Sequence, residues 1–158
     1  MKLLKITLTL ISLFLLNVSD AQSFKNYKFY SDRQTDKSLN GQQVNSKEQV
    51  TISIKDPKPL TKASDQFNQL TVGKIILAYA TLPPEEIEIK YFGHYKNDKD
   101  VDWYGITKTT LDYNTVFIMK SKNLINNNIY NYKIVLANMN ENSGSLTTYT
   151  AYFCKKLF

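Results

Sequence analysis

From Gln49 onward, apolar and polar residues alternate at every second position, in short runs separated by turn residues. A period of two is the signature of half-buried strands. It predicts strands over 49–55 (QVTISIK), 73–80 (GKIILAYA), 86–96 (EIEIKYFGHYK), 102–109 (DWYGITKT), 115–121 (TVFIMKS), 129–138 (IYNYKIVLAN) and 146–155 (LTTYTAYFCK). The links between them, DPKPL, LPPE, KNDKD, LDYN, LINNN and NMNENSGS, are rich in turn formers. No stretch offers the apolar face of a helix. Seven short strands at this spacing point to an all-β antiparallel sandwich or a small barrel.

The row Tyr130, Tyr132, Ile134, Leu136 directs the last three side chains inward and leaves Asn131, Lys133, Val135 and Ala137 outward. On the run 86–96 the same parity sets Ile87, Ile89, Tyr91 and Tyr95 on one face and Glu86, Glu88, Lys90, Phe92 and His94 on the other. If the hairpin that follows has a three-residue loop, His94 faces Asp102 and Glu88 faces Lys108, two favourable cross-strand pairs. A loop one residue shorter or longer sets Val101 or Trp103 opposite His94 instead.

The start of the chain breaks the pattern. Lys2 and Lys5 precede an apolar and hydroxyl run from Ile6 to Leu16, and Ser19-Asp20-Ala21 follows. That is the layout of a secretory signal peptide, too short to cross a bilayer as a permanent anchor. The expectation is a signal peptide over 1–21, a polar N-terminal extension over 22–47 and one domain over 48–158, secreted or extracytoplasmic (periplasm or cell surface), with no integral membrane segment after cleavage. The extension is expected to be loosely ordered or to add one edge strand through FKNYKFY.

Without residues 1–21 the net charge falls from +6 to +5. The basic residues are scattered along the strands with no arginine-rich run, which argues against nucleic acid as a partner. Cys154 is the only cysteine, so no intramolecular disulfide forms; its thiol is expected either in the core or paired between chains.

Candidate chemistry is thin. His94 is the only histidine, and a His-Asp pair needs a nucleophile or metal before it catalyses anything. Asp98, Asp100 and Asp102 alternate like the start of a calcium loop, but Trp103 and Thr109 stand where that loop needs glycine and glutamate. Glu85, Glu86 and Glu88 flank a proline turn and read as surface. No cofactor is implied.

The stretches VGKIILAYATLPP, IEIKYFGHYKNDKDVDWYGI, TVFIMKSKNLINNNIYNYKIVLANMNENSG and SLTTYTAYF, in this order, together resemble a fibronectin type III domain. In that family a leucine precedes a corner tyrosine by six residues, as Leu124 precedes Tyr130 here, and the corner tyrosine buries its ring while its hydroxyl bonds the crossing loop. The resemblance implies a two-sheet β-sandwich of about seven strands, with an extracytoplasmic protein or glycan as partner. An immunoglobulin-like sandwich of another topology fits nearly as well. A lipocalin-type barrel fits less well, because its glycine-tryptophan signature belongs near the first strand and Trp103 lies late in the chain.

The expected function is a non-catalytic recognition or adhesion module. Aromatic anchors dominate interface energetics, so the expected contact is the outer sheet face carrying Phe92, His94, Trp103, Lys133 and Val135. Two alternatives are a small hydrolase or lyase using His94 with nearby carboxylates, and an envelope assembly subunit that donates a strand from 22–47.

Overall fold

The alternation seen in the sequence becomes nine strands in a computed structural model, which describes residues 25–58, 71–120, 130–140 and 142–158. They are β1 (Lys25–Lys37), β2 (Gln43–Ser46), β3 (Val50–Asp56), β4 (Gly73–Tyr79), β5 (Glu85–His94), β6 (Val101–Lys108), β7 (Thr115–Lys120), β8 (Tyr132–Met139) and β9 (Leu146–Lys156). Each of the seven expected strands falls on one of β3 to β9. The expected signal peptide and the corner leucine, Leu124, lie outside the described residues.

The expected fibronectin-like sandwich is corrected. From β3 to β9 each strand pairs antiparallel with the next in the chain, and β1 pairs with β3 along one edge and β9 along the other. The result is one continuous sheet closed into an eight-stranded barrel, with β2 as an extra strand hydrogen-bonded to the far half of β1. A two-sheet sandwich buries one face of every strand just as a barrel does, so alternation cannot tell them apart. The long β1 decides it. Residues 25–37, expected at most as an edge strand in an extension, close the sheet, and a bulge between Ser31 and Arg33 bends β1 so that it can reach its partners. Being paired on both edges, β1 is not a strand free for donation.

The inward row of each strand fills the interior. Ile52, Ile75, Leu77, Ile87, Ile89, Tyr104, Val116, Ile134 and Leu136 are fully buried. Eight strands leave an interior just wide enough for such side chains, and each large one contributes about 1.5–3 kcal/mol on burial. Cys154 joins this core as a free thiol, its Sγ 3.5 Å from the Tyr152 carbonyl.

The corner expected at Tyr130 is also corrected. Tyr130 precedes β8, lies part-exposed on the surface, donates its hydroxyl to Asp32 and has the Lys155 ammonium 5.7 Å from its ring centroid. A closed meander has no sheet-to-sheet crossing for a tyrosine to pin. The alternation beyond it holds: Ile134 and Leu136 are buried inside, and Tyr132 packs against them.

Candidate functional site

The barrel wall has two characters on its outer side. Over β3 to β5 it carries Lys55, Lys74, Glu86, Glu88 and Lys90, with Lys74 Nζ 2.6 Å from Glu86. Over β6 to β9 it is apolar. Trp103, Phe117, Val135 and Ala151 stand opposite one another across four strands. Although they face away from the interior, Phe117, Val135 and Ala151 are at most 3 % exposed. Trp103, Tyr95, Met119 and Tyr149 cover them, making a thin second core on the outside of the wall.

A bulge places the aromatic residues at its margin. Tyr91 pairs with Tyr104 and Gly93 with Trp103, so Phe92 is the extra residue on β5. Gly93 holds φ at +121°, which only glycine adopts without strain. Phe92 is thereby turned out, 57 % exposed, with its ring edge-on to Trp103 at 5.2 Å. Gly105 makes room for it, because a Cβ there would lie 2.3 Å from Phe92 Cζ. Trp103 is fixed beneath by its indole N–H, which donates to Thr115 Oγ1 at 2.7 Å. The 3-10 turn Tyr95–Asn97 folds Tyr95 back over Phe117, ring centroids 4.8 Å apart.

The same bulge separates His94 from Phe92. His94 pairs with Asp102, and Glu88 with Lys108, the two pairings expected for a three-residue hairpin loop. A second bulge, with Thr107 as the extra residue on β6, compensates the first and restores the register. The extra residue on β5 flips the parity of that strand beyond it, however, so His94 comes to the side of Asp102 rather than that of Phe92. Asp102 Oδ1 is a hub there: it lies 2.7 Å from Lys58 Nζ, 3.1 Å from His94 Nδ1 and 3.2 Å from the Tyr91 hydroxyl.

Of the five residues expected to form one contact face, Phe92 and Trp103 come together on the outer wall, and His94 sits across the bulge from them. Lys133 lies in the neighbouring row, opposite Met119, its ammonium 5.4 Å from the Phe153 ring centroid, and burial lowers its pKa. Val135 is in the wall but covered. Among the contributors that escaped the sequence reading are Phe117, Met119 and Ala151 in the wall and Tyr95 and Tyr149 over it. Phe117 and Met119 sit on the outward parity of TVFIMK, as Val135 does on its own strand, so an apolar outer face was written in the alternation.

The other candidate groups are engaged locally. Burial pushes the Cys154 thiol up to about 12, so it is a neutral core side chain. Asp98 Oδ1 accepts the Asp100 N–H at 3.0 Å, closing a turn, and among the described residues no three His, Cys, Asp or Glu side chains gather as a metal-holding group. Glu85 accepts from the Thr110 hydroxyl at 2.7 Å. Also among the described residues, no helix is long and apolar enough to cross a membrane.

Compared with family models, curated proteins and solved structures, the chain matches none. The resemblance to fibronectin type III domains therefore has no support beyond the stretches that suggested it, and the barrel replaces the sandwich it implied.

Proposed function

We propose that the chain is an exported, non-catalytic recognition module that holds an extracytoplasmic protein or glycan on the outer wall of its barrel, around Phe92 and Trp103. One observation carries this reading: a bulge, a positive-φ glycine and a glycine-sized gap act together to hold Phe92 more than half exposed on an apolar wall. A lone surface phenylalanine needs no explanation; one held out by two glycines, edge-on to a part-exposed tryptophan, does. Export rests on the charged, apolar and small-residue layout of the first 21 residues. Phe92 and Trp103 offer aromatic surface of the kind that anchors protein partners and stacks on sugar rings.

The hydrolase reading gains no comparable support, since the carboxylate beside His94 is already shared with Lys58 and Tyr91.

The test uses the wild-type protein and Phe92→Ala as matched baits against a surface fraction of the producing organism, with glycosidase-treated and protease-treated fractions separating glycan from protein. The variant is expected to lose capture by at least about tenfold while melting within a few degrees of wild type. Equal capture by the two baits would remove this wall as the contact surface.

A further inference from the structure

The two ends of the barrel differ. One is shut by hydroxyls: Tyr79 and Tyr152 bond each other at 2.6 Å, Tyr113 bonds Thr150 at 2.7 Å, and Thr150 donates to Asp36 at 2.5 Å. Among the described residues the other end, where β1 starts and β3, β7 and β9 finish, holds a cavity of about 310 Å³. Five lysines among the described residues converge on it, Lys25, Lys58, Lys99, Lys120 and Lys156.

From this arrangement we infer that the open end is a binding site for a small organic anion, a compact carboxylate or phosphate ester, independent of the outer wall.

Charge comes first. Among the described residues three aspartates also line the cavity, Asp56, Asp100 and Asp102, so the described lysines exceed them by two. Two of the aspartates are committed to the protein. Asp102 holds Lys58, and the buried Asp56 accepts the Lys58 backbone N–H at 2.9 Å and the Tyr104 hydroxyl at 3.0 Å. Lys156 lies over the Tyr27 ring at 4.4 Å. Among the described residues, Lys25, Lys99 and Lys120 make no ion pair with a carboxylate. Lysines on a convex surface are ordinarily just hydrated. Here they ring a concavity with low-dielectric walls, which focuses their field on an incoming anion.

Shape sets the rest of the ligand. Tyr27, Phe29, Ile118 and Tyr132 give the cavity aromatic and aliphatic walls, and Asp56 with Tyr104 gives it a buried polar floor. A cavity near 310 Å³ is at the small end of ligand sites. Beyond the floor the described inward positions are fully buried side chains, which leave a long acyl chain no room among them. The occupant has an acidic head among the lysines, a ring-sized body against the tyrosines, and a hydroxyl or amino group that can reach Asp56.

The experiment follows backbone amide resonances of the wild-type protein during titration with 4-hydroxybenzoate, phenyl phosphate and the uncharged 4-hydroxybenzyl alcohol. At least one anion should give saturable shifts at Lys25, Lys58, Lys99 and Lys120, half-maximal below about 1 mM. The alcohol should give none. The Lys99→Gln/Lys120→Gln variant should bind at least about tenfold more weakly, and Phe92→Ala should bind as wild type does. Melting curves check that the variant is folded; Lys25→Gln, at the exposed start of β1, repeats the test if it is not. Failure of both anions to saturate, equal binding of the alcohol, or undiminished affinity in the lysine variants would overturn the inference.

Discussion

Tyr104 is buried completely, yet its hydroxyl reaches the Asp56 carboxylate at 3.0 Å. Burial raises the pKa of both groups. A buried carboxylate that loses a donor bears its desolvation cost with less compensation. Tyr104→Phe should therefore lower stability by about 1–3 kcal/mol in denaturant unfolding at pH 7, and much less in an Asp56→Asn background, where no charge is stranded. Equal costs in both backgrounds would refute this coupling. Cys154 supplies a test on the alkaline side. Its thiol moves from an ordinary value of 9.0 to about 12 in the fold, so between those values the native state keeps a proton that the unfolded chain has released. Stability from this group is complete below pH 9 and is lost as pH rises toward 12. The wild type should lose stability between pH 9 and 11 more steeply than Cys154→Ala, by up to about 1.4 kcal/mol per pH unit. Parallel profiles would contradict the buried thiol.

Among the elements, the β5–β6 hairpin decides where the candidate residues go. Its end pairings, Glu88 with Lys108 and His94 with Asp102, are those of an uninterrupted ladder, but two compensating bulges lie between them. Gly93 accepts φ of +121° at no steric cost, with nothing within 4 Å of a Cβ placed there. Gly93→Ala should therefore destabilise through backbone strain alone, by about 1–3 kcal/mol, and should shift the indole fluorescence of Trp103. Wild-type stability and an unmoved spectrum would mean that the bulge is not needed. Strands were legible in the sequence because each needs only its own alternation, and all of β3 to β9 were found that way. The bulge was legible only as a hint, a lone glycine inside a strand pattern. Without it parity puts Phe92 and His94 on one face, and so the expected contact surface merged two places that the hairpin separates.

For the molecule as a whole, what was not legible is closure. The pairing of β1 with β9 joins residues more than a hundred positions apart, Thr35 with Ala151 for example, and no local signal announces such a contact. β1 is also disguised by composition, since KNYKFYSDRQTDK is largely polar, and only Phe29, Ser31 and Gln34 along it are buried. The apolar outer wall of β6 to β9 and the lysine-ringed open end both depend on that closure. The measurement that tests it most directly is a set of inter-strand backbone NOEs from β1 in the folded protein. A closed barrel predicts that β1 gives contacts to both neighbours, Phe29 with Ile52 on β3 and Thr35 with Ala151 on β9. Contacts to β3 with none to β9 would leave an open sheet and contradict the architecture on which both proposed sites rest.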